Sequence, residues 1–323
     1  MMASPGFARH MLFPVRSLSA VLALALPVFA GETLAVREGR QVVVRSSGKE
    51  VLRYQAEAGD FPRPGIPESF RRGGYVQSIF TPSGKRVTDD FPANHIHHHG
   101  VWTPWTKTEF EGRKPDFWNM GDRTGRVDFV AVDEIWQRKG RAGFRVRHRF
   151  VDMIAKPEKV ALLETWEIEV AAGDKHHVID LTLTQTCAGE SPLKLPAYHY
   201  GGFGFRGHEQ WDGVANCGFL TASGKTSRDA VNGSREPWCW IGGKVDGGVC
   251  GVTILGHPSN FRAPQPVRAH PAEPFFSFAP QQLGAMEIAP GKAYTARFRI
   301  IVADGSPDPR AAERWAAEYA ARK

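Results

Sequence analysis

Cysteine is scarce in this chain, and its scarcity limits both disulfide and metal chemistry. The four cysteines among 323 residues are Cys187, Cys217, Cys239 and Cys250. None of them shows the C-x-x-C spacing, which argues against a cysteine zinc site. Cys239 and Cys250 flank a glycine-rich turn and could pair across a hairpin, but a chain of this length does not need disulfides to complete its core. We therefore expect buried free thiols.

A long hydrophobic run is also missing. The longest apolar stretch, from Leu18 to Phe29, is about twelve residues long, whereas a helix needs about 20 to span a bilayer. Arg9 and Arg16 precede this stretch, and no Asp or Glu occurs in the first 30 residues. This pattern is typical of a secretion signal. A lone N-terminal membrane anchor is the alternative.

Val28 and Ala30 supply the small residues of a signal-peptide cleavage site. We therefore predict that residues 1–30 are a signal peptide, that residues 31–323 form a single domain, and that the mature protein is periplasmic or secreted with no membrane span. Removing the two arginines of the signal leaves +5 of the formal charge of +7. This mild and dispersed charge lacks the basic patch of a nucleic-acid-binding protein, so nucleic acid is not an expected partner.

Short β-branched or alternating segments, separated by glycine and proline turns, run through the chain. They are residues 42–44, 51–54, 75–80, 127–132, 144–150, 162–170, 177–186, 249–255 and 294–302. Because no helices alternate with them, we predict an all-β fold, a large antiparallel two-sheet β-sandwich. The clearest hairpin joins the sixth and seventh segments across Gly173-Asp174. The one predicted helix is C-terminal, near residues 308–321, where Asp308-Pro309 precedes apolar residues at helical spacing.

Four of the 12 histidines, His95, His97, His98 and His99, lie within five residues. Histidine is the commonest metal ligand and the side chain whose charge changes near neutral pH. In a strand, His95, His97 and His99 would share one face, whereas a loop would remove that constraint. Two or three imidazoles can then converge, either for acid–base chemistry on a sugar hydroxyl or to bind a divalent metal. The alternative is a surface loop with incidental histidines.

The aromatic and acidic segment that follows is similar to a sugar-binding surface. Trp102 and Trp118 accompany the carboxylate of Asp116, with Asn119 as a weaker addition. Aromatic faces stack on the C–H-rich faces of sugars, and carboxylates bind their hydroxyl groups. We take Trp102, Asp116 and Trp118 as candidate substrate-binding residues. The alternative is that these aromatic side chains belong to the core.

Two later segments combine glycine or proline with polar side chains. Residues 198–206 are glycine-rich but lack the pattern of a nucleotide-binding loop, and residues 256–264 form a proline-restricted loop of the kind that often carries a site. An arginine at the end of the first segment could clamp an anionic or hydroxyl-rich group. The second segment could equally be a turn with a capping Asn. The candidate residues are His199 and Arg206 in the first segment and His257, Asn260 and Arg262 in the second.

Together these motifs resemble an uncharacterised bacterial family labelled "methane oxygenase PmoA"-like. The matching residues are Phe91-Pro92, His95-x-His97-His98-x-Gly100, Trp102, Asp116-Phe117-Trp118, Gly201-Gly202-x-Gly204-x-Arg206 and His257-Pro258-x-Asn260-x-Arg262-x-Pro264. The family usually has Pro at position 96 and Arg at position 99, so any role of that arginine does not carry over to His99. The label is not an activity, because the true methane monooxygenase subunit of that name is an integral membrane protein. The resemblance implies a soluble β-sandwich, common in bacteria that degrade plant or algal glycans, with no settled reaction.

Three functions follow from these observations. The first is an exported enzyme of supersandwich-like fold, in which His95, His97, His98 and His199 perform acid–base or metal-assisted chemistry on a sugar or oxidised sugar derivative, as in an epimerase, lyase or hydrolase. No pair of acids is evident for glycoside hydrolysis. The second is a non-catalytic glycan-binding protein, and the third is a metal-dependent oxygenase. In each case we expect one concave site, lined by residues that include His98, Arg206 and His257.

Overall fold

The computed structural model describes residues 1–2 and 32–322. The predicted signal peptide lies almost entirely outside the described residues, and so does its cleavage site. Within the described part of the chain, no helix has the length and apolar character needed to cross a membrane.

Strands dominate the described residues, with only two α-helices. The strands are β1 (Thr33–Glu38), β2 (Gln41–Ser46), β3 (Lys49–Gln55), β4 (Tyr75–Ile79), β5 (Val101–Trp102), β6 (Gly125–Arg138), β7 (Arg141–Asp152), β8 (Lys159–Ala171), β9 (His176–Cys187), β10 (Leu193–Leu195), β11 (Phe203–Arg206), β12 (Cys217–Thr221), β13 (Trp238–Val245), β14 (Gly248–Gly256), β15 (Val267–Ala269), β16 (Phe275–Phe278), β17 (Met286–Ile288) and β18 (Tyr294–Asp304). The helices are α1 (Arg228–Val231) and α2 (Pro309–Ala320).

Most of these strands form two eight-stranded antiparallel sheets. The first has the order β1-β2-β3-β4-β5-β11-β16-β15 and the second the order β12-β13-β14-β18-β9-β8-β7-β6, while β10 and β17 pair separately. The two large sheets share one core, to which Val44 and Phe205 contribute from the first sheet and Trp166 and Ile300 from the second. This arrangement confirms the predicted all-β sandwich of two antiparallel sheets.

The predicted hairpin is β8 and β9, which pair from Leu162 opposite Cys187 to Ala171 opposite Val178. Alternate residues of β9 are buried, because one face of the strand packs against the core. All nine predicted segments overlap strands. The strands that the sequence did not indicate include β5, β11, β15 and β16, which have between two and four residues. A strand of that length contains too few residues for an alternating pattern to stand out.

The predicted C-terminal helix is α2, and its N-terminus has the expected cap. The Asp308 carboxylate accepts a hydrogen bond from the backbone N–H of Ala311 at 3.1 Å, and proline occupies the first turn. Ala312 and Tyr319 of the helix pack with Ile301 of β18. Ile301 faces away from the core that Ile300 enters, so α2 covers part of the outer face of the second sheet.

All four cysteines are free thiols. Cys239 lies opposite Ile254, and Cys250 lies opposite Gly243, so the register of β13 and β14 keeps the two thiols apart. The expectation of buried free thiols is confirmed for Cys217, Cys239 and Cys250, whereas Cys187 is half-buried.

Candidate functional site

The candidate site lies on the outer face of the first sheet, where β5, β11, β16 and β15 are neighbours. Side chains alternate between the two faces of a strand. Phe276 of β16 points into the core, as do Val267 and Ala269 of β15. Phe275 and Arg268 therefore face outward.

Loops beside these strands complete a pocket of about 200 Å³. The pocket is lined by His95, His97, His98, Trp118, Asn119, His199, Tyr200, Arg268, His270 and Phe275. All four histidines that the sequence indicated as candidate catalytic residues thus come together, and Trp118 lies beside them. Tyr200, Arg268, His270 and Phe275 were not candidates.

The histidine segment is a pair of turns. The backbone N–H of His95 donates to the carbonyl of Pro92 at 3.2 Å, and that of His98 donates to the carbonyl of His95 at 2.8 Å. Of the two conformations that the sequence left open, a strand or a loop, the segment therefore adopts the loop. His99 is fully buried away from the pocket and donates from Nδ1 to the Asp90 carboxylate at 2.7 Å.

Gly100 ends this segment because the chain passes very close to a neighbouring strand. A Cβ atom at this position would lie 2.5 Å from the carbonyl oxygen of Val76. Only glycine fits such an approach, and it allows β5 to begin directly after the turns. The position of the histidines above the sheet depends on this contact.

Aromatic rings form the inner wall of the pocket. His98 stacks on Phe275 with ring centroids 4.8 Å apart and planes 21° apart. Trp118 packs against Tyr200, with centroids 5.0 Å apart, and against Trp102, with centroids 4.9 Å apart. Trp102 has no exposed surface and does not line the pocket. It supports the wall from beneath, so its proposed contact with substrate is not supported.

Asp116 is buried behind the pocket lining. One carboxylate oxygen accepts hydrogen bonds from the backbone N–H groups of Trp118 and Asn119. The other accepts from the hydroxyl of Thr106 and the side-chain amide of Asn119. The carboxylate therefore fixes the conformation of the turn that carries Trp118 and Asn119. The structure gives it a positioning role, whereas the sequence suggested direct binding.

Burial keeps the imidazoles of the pocket neutral near pH 7. It lowers the pKa of His97 to about 4 and, together with the nearby His95 imidazole, that of His270 to about 4. Burial also lowers the pKa of His98 far below its usual value and lowers the pKa of His95 and of His199. The histidines thus present hydrogen-bonding nitrogens without a positive charge.

The donor set does not fit a histidine-bound divalent metal. His95 and His98 stack face to face, with ring centroids 4.7 Å apart and planes 15° apart, whereas two imidazoles that share one metal ion point their ring edges at it. Within residues 1–2 and 32–322, no group of three or more His, Cys, Asp or Glu side chains is arranged to hold a metal ion.

The sequence profile of a family of unknown function, DUF6807, matches residues 41–317. The chain belongs to this family. Curated proteins give no match.

Among solved structures, the chain is similar to a galactose mutarotase-like protein from Clostridium acetobutylicum, with 10% identity over 85% of this chain and 99% of that chain and a TM-score of 0.44. It is also similar to a galactose mutarotase related enzyme from Lactobacillus acidophilus, with 9% identity over 85% of this chain and 97% of that chain and a TM-score of 0.40. A third is heparan sulfate lyase HepC from Pedobacter heparinus, with 8% identity over 86% of this chain and 36% of that chain and a TM-score of 0.34.

Arg206 of this DUF6807 protein is fully buried beneath the pocket and does not line it. Its guanidinium forms ion pairs with Asp212 at 2.5 Å and Glu273 at 3.2 Å. Its positive charge also helps to lower the pKa of His97 and His98. The structure therefore gives Arg206 an electrostatic role under the site, whereas the sequence suggested a ligand clamp.

The last predicted motif of the DUF6807 chain lies elsewhere. His257 lines a separate groove with Arg297 and Tyr319, and its Nε2 is 3.0 Å from the carbonyl oxygen of Arg322. This groove follows the outer face of the second sheet. The expectation that His98, Arg206 and His257 line one site is therefore wrong.

The two other polar residues of that motif bind backbone groups. The side-chain amide of Asn260 donates a hydrogen bond to the backbone carbonyl of Arg297 and accepts one from the backbone N–H of the same residue, both at 2.8 Å. Arg262 donates to the carbonyls of Pro280 and Gly284 at 2.7 Å and to that of Ala285 at 2.9 Å. Both residues hold loops together, because buried backbone groups need hydrogen-bond partners. Neither of them lines the pocket.

Proposed function

We propose that this protein is an exported enzyme that performs acid–base chemistry on a sugar or an oxidised sugar derivative in the pocket around His97. The observation that carries the proposal is the state of the His97 imidazole. It lines the pocket with a pKa lowered to about 4, and no residue in the described part of the chain hydrogen-bonds its ring nitrogens. A neutral imidazole with a free nitrogen can take a proton from a substrate and return it.

The rest of the lining fits a small polyhydroxylated ligand. Trp118 and Tyr200 offer ring surface, while Asn119 and Arg268 offer polar groups. The volume of about 200 Å³ is smaller than that of a site for a drug-sized molecule, which favours a single sugar ring. A negative group on the ligand would raise the pKa of His97 toward neutrality, because an opposite charge favours the imidazolium. The reactions that fit are mutarotation, epimerisation, elimination and hydrolysis of an oxidised sugar.

Proton exchange with solvent tests this proposal. Aldoses and uronic acids are incubated with the purified protein in D₂O, and proton NMR follows anomer ratio, epimer ratio, new unsaturated products and deuterium uptake at carbon. We expect His97→Gln to slow the reaction by roughly 100-fold or more, the usual contribution of a general base.

The matched control is His176→Gln. Burial also lowers the pKa of His176, but this residue lies at the start of β9 against Trp315 of α2. We expect its variant to keep the full rate. Equal rates in both variants, with both folded by circular dichroism, would contradict the proposed role of His97.

Non-catalytic sugar binding is a second candidate, favoured by the rings of Trp118, Tyr200 and Phe275 in the lining. In that case, a sugar would shift the NMR signals of these rings without solvent exchange or product. His97→Gln would then leave the affinity nearly unchanged, because aromatic stacking carries the binding.

Export and the PmoA-like label remain predictions. Protein recovered from the periplasm or medium should begin at Gly31, and an N-terminus before residue 20 would contradict export.

The PmoA-like label names an oxygenase, and metal analysis of untagged protein tests whether this protein is a metal-dependent oxygenase. Stoichiometric metal bound by the pocket histidines would favour the oxygenase over the acid–base enzyme.

A further inference from the structure

Arg268 and His270 face the pocket from the same edge of the first sheet. Val267 and Ala269 of β15 are buried in the core, so Arg268 lies on the opposite, outer face, and His270 follows two residues later. Both side chains line the pocket. β15 and the residue that follows it therefore bring two nitrogen-rich side chains to the same pocket.

The hydrogen bonds of His270 fix its tautomer. Its Nδ1 accepts from the backbone N–H groups of Ala272 at 3.2 Å and Glu273 at 3.0 Å. Nδ1 therefore carries a lone pair, and in the neutral imidazole the proton must lie on Nε2. No residue that the structure describes accepts a hydrogen bond from Nε2. His270 consequently presents an N–H donor that has no acceptor among the described residues.

Arg268 is a cation without a carboxylate partner in the described part of the chain. Its one side-chain hydrogen bond runs to the neutral amide oxygen of Asn232 at 3.1 Å. Burial lowers the pKa of its guanidinium, which marks a charge that is partly withdrawn from water without compensation. Among the described residues that line the pocket, none is acidic. Glu273, which is near His270, is already paired with Arg206 at 3.2 Å.

We propose that Arg268 and the Nε2–H of His270 together bind a carboxylate, so that the pocket takes a sugar acid such as a uronate. Both groups are donors, and a carboxylate offers two acceptor oxygens in a plane that suits the guanidinium fork. This inference rests on the proposed function and adds the class of substrate.

The number of charges favours a carboxylate over a phosphate. The pocket histidines are neutral, which leaves the guanidinium of Arg268 as the uncompensated positive charge among the described lining residues. A carboxylate carries a single negative charge and balances it, whereas a phosphate monoester carries about −1.5 to −2 near pH 7.

The test uses calorimetry and NMR to compare the affinities of the full-length protein for matched sugar probes. The probes are glucose, galactose and mannose, the three corresponding uronates, and the three 6-phosphates. We expect a uronate to bind roughly tenfold or more tightly than its parent aldose, the difference that one charged hydrogen-bond pair supplies. It should also bind more tightly than the 6-phosphate.

Variants separate the local contact from overall charge. Arg268→Gln and His270→Leu should each remove the preference for the uronate, and Arg268→Lys should restore part of it by keeping the charge without the fork. The matched control is Arg314→Gln, which removes the same charge from an exposed position of α2 and should leave the preference for the uronate unchanged.

Long-range proton–nitrogen NMR should show His270 protonated at Nε2, and addition of the uronate should shift that signal.

The outcomes distinguish the two proposals. If an aldose binds and reacts as well as its uronate, or if a 6-phosphate binds best, the carboxylate inference is overturned while the acid–base function stands. The inference is also overturned if folded Arg268→Gln keeps the uronate preference. If none of the nine probes binds or reacts, both proposals fall.

Discussion

The imidazole of His98 lies flat against the ring of Phe275, with ring centroids 4.8 Å apart. One ring comes from the turns before β5 and the other from the first residue of β16, so this contact joins a loop and a strand that are far apart in sequence. Both rings line the pocket. The stacking therefore connects the shape of the pocket to the pairing of strands in the first sheet.

We expect Phe275→Leu to impair the site more than the fold. Leucine keeps an apolar side chain but loses the flat surface that orients His98, so turnover should fall while the free energy of unfolding drops by about 1–2 kcal/mol, as expected for a partial truncation of a buried side chain. Phe298→Leu is the control, since Phe298 stacks on Phe278 in the core between the sheets. A similar loss of stability without loss of turnover is expected there, and equal turnover in both variants would contradict the role of the stacking.

Replacing Arg206 should destabilise the protein. Arg206→Met leaves the Glu273 carboxylate, whose side chain is 13% exposed, without its partner, whereas the Asp212 side chain is 39% exposed and is solvated. Leaving a mostly buried charged group unpaired costs about 1–3 kcal/mol. Urea denaturation measures the loss. The ion pair of Arg86 with Glu209 has a similar distance, 2.8 Å, but is exposed, so Arg86→Met should cost about 0–1 kcal/mol. Comparable losses in the free energy of unfolding of the two variants would contradict the stabilising role of the Arg206 ion pairs.

The stability of the protein should fall as the pH drops from about 6.5 toward 4. The pKa of His97 is lowered from 6.5 to about 4 by burial, so in this range the unfolded chain binds a proton that the folded chain does not. Stability therefore rises with pH through this window and no longer depends on His97 above it. Thermal unfolding between pH 4 and 8 measures the slope. We expect His97→Gln to reduce the slope, and an unchanged slope would mean that His97 is solvated and titrates normally.

The sequence alone predicted the long strands, the β8–β9 hairpin and the capped helix α2. Each of these depends on residues that are neighbours in the chain: alternation along one strand, a glycine turn, or an Asp followed by Pro. The concentration of histidine at residues 95–98 also indicated the site, because its composition is unusual for a turn in any fold. His199 and Trp118 were found for similar local reasons.

Only the tertiary structure decided which other side chains join them. Arg268, His270 and Phe275 reach the pocket because β16 pairs with β11, with Phe203 opposite Phe278 and Phe205 opposite Phe276. This pairing joins segments about 70 residues apart, and strands this short leave little alternation to read. The spacing of Arg268 and His270, two residues apart beside a short strand, was the one local signal that could have indicated them.

The same reasoning explains why His257, Asn260 and Arg262 were assigned to the site. In sequence, polar residues in a proline-rich loop look the same whether they bind a ligand or satisfy backbone carbonyls. The carbonyls in question belong to residues 280, 284, 285, 297 and 322. Their proximity arises from the packing of distant loops and strands, because hydrogen-bond partners are set by distance in space. Local sequence determined the elements, and non-local pairing determined the site.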